Sequence, residues 1–392
     1  MIDLSTTVGI SRALTILMAV TCGVLVANLY YAQPVLSLIG ADVSMPPALE
    51  SGVVTASQLG YALGLVLLVP LGDVVENRRL ILTTMGFCVI GCFGLLAAGS
   101  LPTLFLSMAV VGVTACAAQM IVPLAAHLAP PERRGAVVGN VMAGLLGGIL
   151  LARPVSSLAA EYLGWRGVFL VSAGLMLALA ILCALGLPRR VPPARQSYPA
   201  LIRSLGHLFR SQPVLRRRAL YHAAMFASFA IFWTGAPIVL MSPPYDYSGH
   251  AVAMFTLSGV FGVCAAPVAG RLADRGYIRT GTIAAMSLAI AALLAASVAG
   301  GSMALFILAG ILVDLGVQAN LVIGQREIFA LDDSIRSRLN AVYMAIFFLG
   351  GAVGSALTSP VLEAFGWPAV ALMGAAFPAT ALAFVMTEKH SR

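Results

Sequence analysis

Charged residues are scarce in this chain of 392 residues: they make up 10% of it, whereas apolar residues make up 60%. A soluble domain carries about 25% charged residues. The chain therefore lacks the polar surface that a soluble enzyme, a disordered protein or a secreted domain presents to water. One membrane-crossing helix needs about 20 apolar residues, and the chain holds many such runs. We expect a membrane protein with several spans.

Lysine is almost absent, because Lys389 is the only one and the net charge of +8 comes from arginine. The P-loop of an ATP-driven pump needs a lysine after its glycines, and Lys389 lies in the tail, so an ATPase is disfavoured. The 5 histidines stand in separate segments without a His-Glu-x-x-His zinc motif. We therefore expect neither an enzyme nor a bound cofactor or metal.

Apolar runs of helical length occur twelve times along the chain. They lie at about 14–40, 49–71, 80–99, 102–126, 135–158, 166–187, 219–241, 251–272, 280–299, 302–325, 339–361 and 367–386. Lipid cannot satisfy the backbone polar groups of an open strand, so the fold class is predicted to be all-α with twelve transmembrane helices. The 6 cysteines fall inside these runs and are expected to be small buried residues.

The basic residues are distributed unevenly over the predicted loops. With the N-terminus inside, 21 of the 23, including Lys389 and Arg392, fall in cytoplasmic segments, as the positive-inside rule requires. The external loops hold acids instead, namely Asp42, Glu50, Glu161, Asp246 and Glu363. The pattern predicts a multi-pass membrane protein with both termini in the cytoplasm, and it explains the basic charge without nucleic-acid binding.

A polar segment at 188–217 divides the predicted spans into two groups, 1–187 and 218–392. Within it, Leu201–Phe209 is expected to form an amphipathic helix at the inner membrane surface. The two groups echo each other at a shift of about 202 residues, since Gly164-Trp165 matches Gly366-Trp367 and Gly148 matches Gly350. Duplication of this kind predicts two pseudo-symmetric six-helix bundles with a ligand site between them near the membrane midplane.

Two loops carry an acid followed by basic residues. One reads Gly270-Arg-Leu-Ala-Asp274-Arg275-Gly-Tyr-Ile-Arg279, and the other reads Pro70-Leu-Gly-Asp73-Val-Val-Glu-Asn-Arg78-Arg79. The first is similar to the loop signature of the major facilitator superfamily, which the chain resembles over essentially its whole length. The resemblance implies a cytoplasmic gate that latches the two halves in the outward-open state, formed by Asp73, Arg78, Arg79, Gly270, Asp274, Arg275 and Arg279.

Other segments resemble the bacterial drug/proton antiporters of that superfamily. They are Asn28-Leu-Tyr-Tyr-Ala-Gln-Pro34, Gln58-Leu-Gly-Tyr-Ala-Leu-Gly64 and a fifth span rich in glycine. Ala152-Arg153-Pro154 stands where the antiporters have Gly-Pro. The resemblance implies alternating access and a place in the bacterial inner membrane, and it favours export of a solute in exchange for protons.

Asp314 lies mid-way along the tenth span, about 18 Å from its outer end at 1.5 Å per residue. Gln318 and Gln325 follow on the same helix face. An ionisable group inside a bilayer is expensive and is a functional candidate by default. A desolvated carboxylate can bind and release a proton near neutrality. We predict that Asp314 carries the proton, with a permanently paired structural acid as the alternative.

Arg153 is the only cation within a span. It is expected to pair with Asp314, to bind an anionic group of the substrate, or to extend outward toward Glu161. His222, Phe226, Phe229 and Trp233 recur on one face of the seventh span, either for packing or for ligand contact. The predicted cavity residues are Asn28, Tyr30, Tyr31, Gln33, Gln119, Arg153, Phe226, Phe229, Trp233, Gln318 and Gln325.

A cavity of this composition suits a lipophilic or aromatic solute better than a sugar, which needs many polar partners. The sequence therefore predicts a monomeric secondary transporter that binds a small molecule and protons in the lipid bilayer. Export by proton antiport is the leading interpretation. Proton-coupled uptake and a transport-inactive sensor are the alternatives.

Overall fold

The computed structural model describes residues 10–192, 197–332 and 335–388. Lys389 and Arg392, predicted to be cytoplasmic, lie outside these ranges, as do residues 193–196 of the predicted linker. The α-helices are α1 (Arg12–Ala27), α2 (Leu36–Asp42), α3 (Gly52–Leu67), α4 (Asn77–Leu96), α5 (Leu101–Ala115), α6 (Ala118–Leu128), α7 (Arg134–Gly186), α8 (Tyr198–Ser211), α9 (Pro213–Met241), α10 (Gly249–Leu257), α11 (Ala265–Asp274), α12 (Ile278–Ser297), α13 (Met303–Phe329) and α14 (Arg336–Thr387). Short 3₁₀ helices cover Gln33–Val35, Pro47–Leu49, Val69–Asp73, Pro131–Arg133 and Ser258–Cys264.

The described residues form 9 helical stretches that are long and apolar enough to cross a membrane. The two longest helices, α7 with 53 residues and α14 with 52, each contain one non-helical residue. These are Gly164 at φ 69° and Gly366 at φ 74°. A positive φ is strained for residues with a Cβ, so glycine at these two matched positions lets each helix bend sharply.

Proline interrupts two of the predicted spans. The run at 14–40 is divided into α1, a 3₁₀ turn that contains Pro34, and α2. The 3₁₀ helix Val69–Asp73 likewise contains Pro70 and follows α3. Proline has no backbone N–H and clashes with the preceding turn of an α-helix, which explains both breaks.

Two close helix crossings hold the core together, and each depends on small residues. Gly144 and Gly148 of α7 lie against the backbone of Ala19 and Gly23 on α1. In the second half of the chain, α14 crosses α9 in the same way, with Gly350 and Gly354 against the backbone of Ala223 and Ala227. Small residues permit this approach of backbones in membrane proteins.

The two halves of the chain meet at one end of the helices. Ser51 and Ser359 exchange hydrogen bonds, with distances of 3.0 and 3.1 Å from each backbone N to the partner Oγ. One turn further in, the hydroxyl oxygens of Thr55 and Ser355 lie 2.9 Å apart. These contacts join α3 to α14.

Helix α8 contains the predicted amphipathic segment and buries Leu201, Leu205 and Leu208. The expectation of buried cysteines is right for five of the six and wrong for Cys264, which is exposed where the 3₁₀ helix meets α11. A residue in an apolar span can face the lipid as well as the core, and hydropathy does not separate these two environments.

Candidate functional site

Asp314 lies in the middle of α13 and is 4% exposed. It is the one acidic residue that is buried in the described part of the chain. Trp233 on α9 donates a hydrogen bond from Nε1 to Asp314 Oδ1 at 2.7 Å. In the 3₁₀ helix before α11, Gly259 lies so close to Asp314 Oδ2, and Gly262 to the Cβ of Asp314, that a Cβ at either position would collide with this residue. The carboxyl group therefore faces protein and not lipid.

Arg153 on α7 is 2% exposed and does not extend to the membrane surface. Its guanidinium carbon lies 5.0 Å from the ring centre of Tyr30, 4.9 Å from that of Phe229 and 4.6 Å from that of Trp233. Cation–π attraction is strong where the cation is desolvated. Glu161, the alternative partner, pairs with His250 instead, at 2.5 Å.

Trp233 connects the two buried charges, which do not form a direct ion pair. Its ring stacks on Arg153 and its N–H binds Asp314. Arg153 comes from the first half of the chain, whereas Trp233 and Asp314 come from the second half. We call the set Arg153, Trp233 and Asp314 the charge cluster. A movement of one half against the other would change its geometry.

The turn between α1 and α2 supplies Tyr30 and Gln33 to this site. Gln33 is fully buried and accepts a hydrogen bond through Oε1 from Arg153 Nε at 2.7 Å. Gln33 Nε2 and Arg153 Nη2 are buried without a hydrogen-bond partner. The proline break in the first span therefore places two side chains beside a helix that carries a buried cation.

The aromatic face of α9 packs mainly against α14. The Phe226 ring centre lies 3.7 Å from that of Phe347 and 5.0 Å from that of Phe229. His222 stacks on Phe347, and its Nδ1 lies 3.1 Å from Asn320 Nδ2. Phe229 and Trp233 reach Arg153, whereas His222 and Phe226 do not take part in the charge cluster.

Several predicted cavity residues lie elsewhere. Asn28 is buried and accepts a hydrogen bond from Ser172 at 2.7 Å, which ties α1 to α7. Gln119 donates to the Tyr61 hydroxyl at 3.1 Å, and Gln325 donates to Asn340 at 3.2 Å. Gln318 is half-buried on α13, one turn from Asp314.

A groove of about 830 Å³ runs between α1 and α7. Arg12 and Arg133 line one end of it, and its other end reaches Tyr31 and Ala152. The lining is mostly apolar, and the described lining residues include no acid. Tyr31 and Ala152 are chain neighbours of Tyr30 and Arg153, whereas the charge cluster itself does not line the groove.

Two of the predicted gate arginines contact the ends of helices within their own half of the chain. Arg78 donates to the carbonyls of Ala184 and Leu187 at the end of α7. Arg279 donates at 3.3 Å to the carbonyls of Val385 and Met386 at the end of α14. A cation at a helix C-terminus is favourable, and the two arginines occupy matched places in the two halves.

The gate acids differ in their surroundings. Asp274 pairs with Arg326 of α13 at 3.0 Å, within the same half of the chain. Asp73 lines a cavity of about 60 Å³ together with Arg190 and with Arg338 of α14. Arg79 and Arg275 are exposed, and Gly270 is half-buried in α11. Asp73 is thus the member that faces the opposite half.

Sequence reasoning missed several members of the site and its surroundings. Phe347 and Phe348 of α14 pack on the aromatic face of α9. Tyr61 of α3 lies 4.3 Å from Phe348 between ring centres. Asn320 is buried two turns from Asp314 on α13. A polar residue in an apolar span was the available signal for Asn320, whereas nothing in the sequence distinguished these aromatic residues from lipid-facing ones.

Comparison with known proteins identifies the family. Residues 16–325 match the family model of the Major Facilitator Superfamily. The chain is 40% identical over 366 residues to the uncharacterised transporter YgaY of Escherichia coli O157:H7, with 93% of each chain covered. It is 32% identical over 362 residues to a protein of Streptomyces coelicolor named "Probable transporter", covering 92% of this chain and 84% of the relative.

Solved structures share the fold. A mutant form of the nucleoside transporter NupG superposes with a TM-score of 0.73 at 14% identity, covering 94% of this chain and 99% of NupG. The xylose transporter XylE of Escherichia coli gives a TM-score of 0.69 at 14% identity, covering 96% and 95%. With its apolar helices and these relatives, the chain is a multi-pass membrane protein and belongs to the major facilitator superfamily of transporters.

Proposed function

We propose that the protein is a proton-coupled secondary transporter that works by alternating access and exports a small, mainly lipophilic or aromatic organic solute. The observation that carries this proposal is the charge cluster, in which a buried acid from one half and a buried arginine from the other share one tryptophan. Such a cluster changes when the halves move, and it holds a group able to carry a proton.

Twelve spans in two bundles, 1–187 and 218–392, are part of this proposal. Helices α7 and α14, with 53 and 52 residues, exceed twice the roughly 20 residues of one span. Each bends at a positive-φ glycine and is assigned two spans. The broken run of α1 and α2 is assigned one further span. Counting α7 and α14 twice and adding this run brings the 9 long stretches to twelve spans. The repeated glycine crossings support the pseudo-symmetry.

The contacts between the halves support alternating access. Hydrogen bonds join α3 to α14 at Ser51 and Thr55, and Ser157 of α7 donates to the carbonyl of Gly249 on α10 at 2.9 Å. In the topology given by the positive-inside rule, these residues lie on the external side. The structure then represents a state in which the external side is closed.

The surroundings of the charge cluster support the proposed solute class. Tyr30, Phe229 and Trp233 present rings, while few hydrogen-bonding groups are available. Export is the direction favoured by the antiporter resemblance. A relative in Pasteurella multocida, 24% identical over 255 residues, is named "Probable sugar efflux transporter". Proton-coupled uptake is a second candidate, which the buried positive charge of Arg153 favours.

The test begins with cells that have or lack the protein, in which accumulation of ethidium, chloramphenicol, benzoate and 1-naphthoate is measured with and without a proton gradient. A compound whose accumulation changes is then followed in proteoliposomes. We expect Asp314→Asn to abolish flux driven by a pH gradient but to retain exchange of labelled for unlabelled solute. Glu132→Gln, at an exposed position, is the control. Full gradient-driven flux in Asp314→Asn would exclude the proton role.

A further inference from the structure

We infer that Arg153 and Gln33 form a subsite that recognises the anionic oxygen of the transported solute, so that the solute is an aromatic or lipophilic organic anion such as a carboxylate. This inference rests on the proposed transport function and names its substrate class. It depends on four observations: unpartnered donors, the enclosing rings, the absence of a direct counter-ion and the charge of the groove.

The first observation is a pair of unsatisfied donors. Arg153 is 2% exposed and Gln33 is fully buried. Arg153 Nε is occupied by Gln33 Oε1 at 2.7 Å, which leaves Arg153 Nη2 and Gln33 Nε2 without partners. Both nitrogen atoms donate hydrogen bonds and accept none. A buried polar group without a partner is costly, and two adjacent donors fit a ligand that supplies acceptor oxygens.

The second observation is that rings enclose the donors. Tyr30, Phe229 and Trp233 surround the guanidinium at 5.0, 4.9 and 4.6 Å from their ring centres. A planar guanidinium binds a carboxylate through two parallel hydrogen bonds. The ring faces would then contact the apolar body of the same molecule. The combination selects a compact anion with an aromatic or aliphatic body.

The third observation is that Asp314 does not neutralise Arg153 directly, because Trp233 binds each of them. A directly paired guanidinium would have its donors filled by the acid. Here Arg153 Nη2 has no hydrogen-bond partner. The acid influences the subsite through its charge and not by occupying it.

The fourth observation is the charge of the groove whose lining includes Tyr31 and Ala152, the chain neighbours of Tyr30 and Arg153. The groove between α1 and α7 holds Arg12 and Arg133 at one end, and no acid among its described lining residues. A passage lined by one sign of charge concentrates ligands of the opposite sign. The groove and the subsite therefore favour the same class of solute.

The test uses the full chain in lipid nanodiscs at neutral pH, with 1-naphthoate and its uncharged analogue 1-naphthamide as probes. We expect naphthoate to bind about tenfold to hundredfold more tightly than naphthamide, because a hydrogen bond to a charged group contributes more free energy than one between neutral groups. Arg153→Gln should remove this preference. Gln33→Glu should weaken naphthoate binding more than naphthamide binding, because the added carboxylate occupies Arg153 and repels an anion. Arg203→Gln, on the exposed face of α8, is the control.

Equal affinity for the two probes would overturn the subsite, as would unchanged naphthoate binding in Gln33→Glu. Failure of naphthoate, benzoate and indole-3-acetate to bind would overturn it as well. If Arg153→Gln does not fold, the preference for naphthoate over naphthamide is measured in Arg153→Lys and Gln33→Glu instead. Anion binding through Arg153 together with full gradient-driven flux in Asp314→Asn would refute the proton role alone. Flux that depends on Asp314 without an anion preference would refute the subsite alone.

Discussion

Trp233 is the residue on which the proposed coupling depends most directly. One face of its ring stacks on Arg153, and its N–H binds Asp314. The residue is fully buried among Phe232, Phe255 and other rings of the second half. It therefore has little freedom to adjust when either charge moves. A change at Asp314 must be transmitted to Arg153 through this ring or through the field between the charges.

Replacing Trp233 with Phe tests this role. The variant keeps an aromatic ring but removes the donor to Asp314 Oδ1, which leaves a buried acceptor unpaired at a cost of about 1–3 kcal/mol. We expect gradient-driven flux in proteoliposomes to fall at least tenfold. Trp367→Phe is the matched control, because that indole donates to the backbone carbonyl of Ala296 at 2.7 Å. Equal losses in the two variants would contradict a specific role for Trp233.

At this scale the sequence predicted the charged residues but not their partners. Asp314 and Arg153 stood out because ionisable groups are expensive inside a bilayer. The hydrogen bond from Trp233 and the contact with Gln33 depend on how α7, α9 and α13 meet. Helical periodicity gives the face of one helix and not the helix opposite, and the Asn28 side chain consequently binds Ser172 instead of lining the cluster.

At the scale of elements, the crossings of α1 with α7 and of α9 with α14 place backbones in direct contact. A Cβ at Gly148 would collide with the backbone of Gly23, whereas a Cβ at Gly147 would meet no atom within 4 Å. The two glycines are adjacent on the same helix and differ only in what they face. They form a matched pair of positions for measuring how much the close approach of α1 and α7 contributes to stability.

Gly148→Ala is expected to destabilise the protein by about 1–3 kcal/mol, because overpacking forces the helices apart. Gly147→Ala is expected to be neutral or to stabilise by up to about 1 kcal/mol, since alanine favours the helix. Thermal unfolding in detergent measures both. A loss of stability in Gly147→Ala as large as in Gly148→Ala would show that the crossing is not the reason for glycine.

The sequence predicted the existence of these helices better than their continuity. The apolar runs of the sequence coincide with helices in the structure, and the amphipathic pattern identified α8. The break at Gln33–Val35 was read as part of one span, because proline is tolerated in many membrane helices and hydropathy is insensitive to a turn. That break supplies Gln33 to the proposed subsite, so the missed detail affects the proposal as well as the fold.

At the scale of the whole molecule, hydrogen bonds between α3 and α14 hold the two halves together on the proposed external side. The hydroxyl oxygens of Thr55 and Ser355 lie 2.9 Å apart. We expect Thr55→Cys with Ser355→Cys, in a Cys264→Ser background, to form a disulfide on oxidation. The bond should stop flux, and reduction should restore it, whereas each single variant should be unaffected. Full flux in the oxidised double variant would contradict alternating access through this interface.

The sign of proton coupling is also a property of the whole molecule, and it decides between export and uptake. Besides Asp314, the charged or titratable side chains at the charge cluster are Arg153 of α7, whose guanidinium is permanently charged, and Tyr30 of the turn after α1. Ionised Asp314 balances Arg153, while protonated Asp314 leaves a net positive charge. An anionic solute therefore binds the protonated form better. A neutral or cationic solute lacks this preference for the protonated form.

The anionic subsite therefore predicts proton uptake when 1-naphthoate binds, whereas export by exchange, the leading proposal for the direction, predicts proton release. Calorimetry in two buffers that differ in ionisation enthalpy separates these two outcomes. The uptake should disappear in Asp314→Asn and persist in Glu132→Gln. Because solute and proton then occupy the carrier together, this outcome corresponds to uptake with protons, the second candidate direction. Proton release on binding would instead indicate that solute and proton exclude each other, which is the requirement for export by exchange.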